Sequence, residues 1–175
     1  MLVGESFRLR RERNDNSMSD YNYDSYCGLY CGACIVLHAY KNGYEDKIAP
    51  RLNFEPSQIK CNGCKTDILF ENCRKCIIRD CAINKKLEHC INCIDYPCNL
   101  HNELLRNFSK EHKLPHLQII PKNLMTIKSI GVDQWLKEQE RVWKCPECQT
   151  DFSWYTPKCI KCGRDLDKVK DYNNL

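Results

Sequence analysis

Cysteine spacing constrains this chain more than any other feature. Fifteen of its 175 residues are cysteine, and most of them fall in Cys-x2-Cys pairs. Such a turn is tight enough to aim two sulfurs at one ion, the geometry of structural metal sites. Cysteine also supplies about a fifth of the 42% apolar content. Ordinary core residues are therefore thin, and cross-links must carry part of the stability. In a reducing compartment such cysteines bind metal or do redox chemistry more often than they form disulfides.

The pattern is clearest near the C-terminus, where Cys145-Pro-Glu-Cys148 is followed by Cys159-Ile-Lys-Cys162-Gly163. Two such knuckles joined by a short hairpin, here Thr150–Trp154 with its partner strand, are a zinc-ribbon arrangement. Four thiolates then close a tetrahedral zinc site with no open position, and Pro146 and Gly163 suit the turns. Phe152, Trp154 and Tyr155 read as the cover of a module too small for another core; a partner-contact surface is the alternative.

The other eleven cysteines form four groups: Cys27-x3-Cys31-x2-Cys34, Cys61-x2-Cys64, Cys73-x2-Cys76-x4-Cys81 and Cys90-x2-Cys93-x4-Cys98. The last two share one spacing, CRKCIIRDC against CINCIDYPC, with Ile77 and Ile94 also matching. They constitute a short internal repeat that predicts two similar loops packed as a pair. Eleven cysteines cannot fill three four-ligand sites. His89 and His101 are candidate twelfth ligands, although each is more readily read as a surface histidine. The Cys27/Cys31/Cys34 spacing is that of the radical-SAM cluster loop, but no strand–helix alternation follows to build the barrel those enzymes need. The ferredoxin spacings are absent. Three cysteines and a remote fourth still suit a cluster, so the core admits either zinc or an iron–sulfur cofactor.

Charge adds a restriction. The net charge is +4, basic and acidic residues are balanced along the chain, and this disfavours a nucleic-acid partner. No apolar run is long enough for a transmembrane helix. No apolar stretch follows the arginines near the N-terminus, which argues against a secretory signal. The expected location is cytoplasmic. Met18 offers an alternative start.

Apolar periodicity predicts few helices. Ile35, Val36, Ala39 and Tyr40 suggest one, limited by Pro50. Leu100, Leu104, Leu105 and Phe108 stripe a second over 99–113. A short one is expected over 122–130. Another starts near Val132 and runs to about Glu140, with Trp135, Leu136 and Gln139 facing inward. The expected fold is small, α+β and metal-stabilised: an irregular cysteine-rich core with two or three helices plus a C-terminal β-hairpin zinc ribbon. The segments are a flexible tail (1–20), the cysteine-rich core (21–113), a helical connection (114–141), the ribbon (142–166) and a C-terminal tail (167–175).

The run Tyr26-Cys-Gly-Leu-Tyr-Cys-Gly-Ala-Cys34, then Cys61-Asn-Gly-Cys64, Cys76-Ile-Ile-Arg-Asp-Cys-Ala82 and Cys90-Ile-Asn-Cys-Ile-Asp-Tyr-Pro-Cys98, closely resembles the DUF3795 family of prokaryotic cysteine-rich proteins. The likeness covers about Tyr26 to Leu105. A longer form, with a Gly-Val-x-x-Trp-Leu helix (here Gly131 to Leu136) and a C-terminal ribbon, is also similar. One departure is Ile35, where members often carry proline. The resemblance implies a bacterial or archaeal cytosolic protein that binds metal, and it implies no reaction.

Three functions remain. The leading one is a zinc-stabilised adaptor or regulatory module with a protein partner, since no Ser/His/Asp arrangement, phosphate loop or paired-carboxylate constellation is present. The second is an iron–sulfur redox or electron-transfer protein. The third is an enzyme whose thiolate-bound metal makes one cysteine a nucleophile.

Overall fold

The computed structural model describes residues 21–108 and 114–166. The tails expected at 1–20 and 167–175, Met18, and the end of the helix expected over 99–113 lie outside the described residues. Seven α-helices occur among the described residues: α1 (Ile35–Asn42), α2 (Glu45–Leu52), α3 (Glu71–Arg74), α4 (Ile77–Asn84), α5 (Asn99–Glu103), α6 (Ile120–Ile130) and α7 (Val132–Val142). Short 3-10 turns lie at Cys31–Ala33, Pro56–Gln58, Cys90–Asn92 and Pro115–Ile119. A π-helical turn, Leu104–Phe108, continues α5.

The expected α+β class is overturned. The chain is helical, and among the described residues extended pairing is limited to two isolated bridges, Lys144 with Asp151 and Lys158 with Asp165. Each bridge closes one knuckle on itself. The Cys145 N–H donates to the Thr150 carbonyl at 2.9 Å, and the Cys159 N–H to the Arg164 carbonyl at 2.8 Å. The segment expected to form a hairpin between the knuckles is used otherwise. Phe152 and Trp154 are buried in the helical core, and the Trp154 N–H donates to the Ala33 carbonyl at 3.1 Å. Two large apolar side chains gain more from that core than from a two-stranded ribbon, which is marginal in water.

The cysteine-rich region also holds more helix than its periodicity suggests. Its helices are four to eight residues long, too short for a periodic stripe to show. Pro50 does not limit α1. It lies within α2, while α1 ends at Gly43, whose φ of 71° is left-handed. Farther on, Pro121 occupies the first turn of α6, where its missing N–H costs nothing. Trp135 of α7 is fully buried, as its helical spacing predicts.

Two apolar clusters organise the molecule. One gathers α1 and α2 with Ile59, Cys61 and Phe70. The other joins Tyr30 and Ala33 to Leu117, α6, Trp135, Trp143 and the knuckle residues Cys145, Phe152, Trp154 and Cys159. Residues 142–166 thus share a core with the cysteine-rich segment.

The Cys61-Asn-Gly-Cys64 turn is held by a close backbone approach. The Asn22 N–H donates to the Asn62 carbonyl at 2.7 Å. Gly63 has a φ of 121°, and a Cβ there would lie 1.7 Å from the Asn22 carbonyl oxygen. Gly63→Ala is therefore expected to cost at least about 2 kcal/mol through backbone strain and overpacking. A urea-unfolding midpoint checks this; an unshifted midpoint would refute it.

Candidate metal centres

The four C-terminal cysteines meet at one point. Their Sγ atoms all lie within 4.8 Å of one another. Cys145 and Cys162 are 3.5 Å apart, and Cys148 and Cys159 are 3.4 Å apart. Zn–S bonds of about 2.3 Å place tetrahedral sulfurs roughly 3.8 Å apart, so the group could hold a metal ion. Each knuckle turns back through its own backbone bonds, including the Gln149 N–H to the Cys145 carbonyl and the Gly163 N–H to the Cys159 carbonyl, both 2.9 Å. Cys145 and Cys159 face the core and are buried, whereas Cys162 is exposed. The Thr150 hydroxyl and backbone hold the Cys148 thiol down to about 6, which favours the thiolate that binds metal. Arg164 of the second knuckle pairs with Glu147 of the first.

Among the described residues, no other group of three His, Cys, Asp or Glu donors is drawn so close together. The core cysteines nevertheless crowd. Three of them open helices: Cys34 precedes α1, Cys76 precedes α4 and Cys98 precedes α5. That position places sulfur at the positive end of each helix. Burial pushes the Cys31 thiol well up, with Cys64, Cys34 and Cys61 adding to the shift. Burial and Cys61 push Cys34 up to about 11. Cys64 is raised to about 12 by burial, with Cys27 and Cys76 nearby. Cys73 is raised by burial and by Cys34, Cys61, Cys64 and Cys76. Around Cys90, pushed up to about 12 by burial, lie Cys27, Cys98, Cys81 and Cys93. These eleven thiols thus form one neighbourhood, densest around Cys31, Cys34, Cys61, Cys64 and Cys73 and again around Cys81, Cys90, Cys93 and Cys98. Common ionisation there demands a cation among them.

The two candidate histidines behave differently, and neither is on the surface. His89 is 5% exposed and its Nε2 lies 2.9 and 3.0 Å from the two Asp24 carboxylate oxygens. Lys65 reaches the same carboxylate at 2.7 Å and the Glu88 carbonyl at 2.6 Å. Burial alone would raise the Asp24 pKa, but His89 and Lys65 outweigh it and hold the carboxyl below its ordinary value. His89 is thereby committed to a buried polar network joining positions far apart in sequence. His101 is 1% exposed, and neither ring nitrogen has a hydrogen-bond partner. Burial pushes its pKa below the usual value, with the nearby Cys27 carbonyl opposing. The sequence signal for its importance is its place in the second repeat, three residues after Cys98.

His116 joins the knuckles to the helices. Its ring stacks on Trp154 with centroids 4.1 Å apart and shares a hydrogen bond with the Tyr155 hydroxyl. Burial pushes its pKa down to about 4. The unfolded chain takes up this proton near pH 6.5 and the folded chain only near 4. Stability is therefore complete above about pH 6.5 and falls as pH drops through that window, by about 3 kcal/mol at full extent. In metal-loaded protein, His116→Gln should lose this part of the slope. Urea midpoints for both chains between pH 7 and 5 check it; parallel slopes would refute it.

No helix among the described residues is long and apolar enough to cross a membrane. No curated protein and no solved structure matches the chain. The family model described as "Protein of unknown function (DUF3795)" matches residues 23–103. That span takes in the eleven crowded cysteines, His89 and His101, and it is the part of the chain that is similar to the DUF3795 family.

Proposed function

We propose that this protein is a zinc-stabilised adaptor or regulatory module, built around the closed four-thiolate centre of Cys145, Cys148, Cys159 and Cys162. The observation that carries the reading is the convergence of those four sulfurs within 4.8 Å. Contacts of 3.4 and 3.5 Å suit a single tetrahedral ion. A cuboidal iron–sulfur cluster would hold its thiolates farther apart. Four thiolates leave the ion no open position, which supports a structural role over a catalytic one.

A second feature supports contact with a protein partner. Exposed isoleucines follow cysteines at three places: Ile77 opens α4 after Cys76, Ile94 follows Cys93 and Ile160 follows Cys159. Ile94 is 96% exposed and Ile160 is 77% exposed. Apolar side chains presented beside cysteine pairs suit docking to an apolar surface more than catalysis.

Metal analysis on protein purified without oxygen tests the reading. Zinc in a colourless protein is expected. Iron with matching acid-labile sulfide would replace the reading with electron transfer. Cys148→Ser should lower bound zinc by one ion per chain. Because Cys145 and Cys159 share a core with Trp135, Trp143 and Trp154, the loss should also shift tryptophan emission and lower the unfolding temperature. Loss of the ion with unchanged emission and unfolding temperature would refute the structural role.

A further inference from the structure

The two copies of the cysteine repeat differ at one position that bears on chemistry. In the first, Cys73, Cys76 and Cys81 are followed three residues on by Asn84; in the second, Cys90, Cys93 and Cys98 are followed by His101. Asn84 is exposed. His101 is 1% exposed, with both ring nitrogens unpartnered. A buried imidazole without a partner is costly, and such a group in a folded protein calls for an explanation.

The surroundings of His101 supply one. A cavity of about 30 Å³ is lined by Cys81, Cys90, Cys93, Tyr96, Cys98 and His101 among its walls. That is room enough for a single ion. Cys98 opens α5 and His101 lies three residues into it, so the two share one helix face. The Cys90–Asn92 turn carries the facing pair, with the Cys93 N–H donating to the Cys90 carbonyl at 3.1 Å. The Tyr96 ring meets His101 edge-on at 4.9 Å and fixes the imidazole plane. Lys85 Nζ is 3.5 Å from Cys93 Sγ and 2.6 Å from Asp95. Three thiolates around a divalent ion carry a net charge of about −1, which the Lys85 ammonium offsets.

We propose that Cys90, Cys93, Cys98 and His101 form a second metal centre, a tetrahedral three-sulfur, one-nitrogen site for a single zinc-class divalent ion, with Cys81 as an unligated thiol on its rim. The site uses none of the four C-terminal cysteines and so stands apart from the knuckle centre. Its donors face one cavity but are farther apart than the C-terminal four. Ion binding therefore draws the Cys90–Asn92 turn toward α5, which couples loading to folding.

Cobalt substitution of the full chain, prepared without oxygen, tests the proposal by metal stoichiometry and by the ligand-field and thiolate charge-transfer spectrum. The wild-type spectrum should contain an all-thiolate and a mixed sulfur–nitrogen component. His101→Ala should lose one ion per chain and the mixed component. His101→Cys should keep the ion and convert that component to the all-thiolate form, which separates ligand loss from misfolding. Cys81→Ser should keep every ion, and Cys148→Ser should retain the mixed component. Full cobalt content with an unchanged spectrum in His101→Ala would overturn the proposal. So would loss of the ion in Cys81→Ser, or iron and sulfide at this site in the native protein. Failure of the knuckle reading shows separately, as Cys148→Ser keeping its full metal content.

Discussion

Buried thiolates repel one another and require a cation between them, and much of this structure follows from that constraint. A chain with so few ordinary apolar residues must bury cysteine to build a core at all. Burial raises the thiols of Cys31, Cys34 and Cys73, and neighbouring cysteines, Cys61 among them, raise each of the three further. As neutral thiols they pack as small apolar groups. Ionised together they need compensating charge. The C-terminal four have gone furthest, to the separations that one tetrahedral ion demands.

The same constraint sets how the parts depend on one another. A closed knuckle pair in isolation has little to pack against. Here it is seated on the helices by Phe152 and Trp154, by the Trp154 N–H on the Ala33 carbonyl, and by the stack of His116 on Trp154. Cys145 and Cys159 belong to that apolar cluster, so the candidate metal ligands and the core side chains are partly the same residues. In the cysteine-rich segment the Asp24–His89–Lys65 network does comparable work in polar form. It ties three distant positions together through a carboxylate whose partners more than compensate its burial.

What each histidine does illustrates the limit of reading along the chain. His89 and His101 each lie beside a cysteine group and are equivalent as candidate ligands by position. Their difference is tertiary: Asp24, sixty-five residues from His89, satisfies one ring, and nothing satisfies the other. The missing hairpin has a similar origin. Thr150–Trp154 has strand-like composition, but the carbonyl that takes the Trp154 N–H belongs to Ala33, on a turn remote in sequence. Short-range rules carry no term for that partner.

The available chemistry is legible along the chain: thiols in pairs spaced to share an ion. So is the local punctuation: Pro121 opening α6, Gly131 dividing α6 from α7, and the spacing that buries Trp135. These depend on residues a few positions apart. Long-range packing settles the rest: the knuckles close on themselves rather than as a hairpin, short helices fill the cysteine-rich segment, and one of two equivalent histidines is left facing a thiol-lined cavity. Those outcomes turn on which distant group satisfies a backbone N–H or a buried ring, and on where large side chains find the most apolar surface.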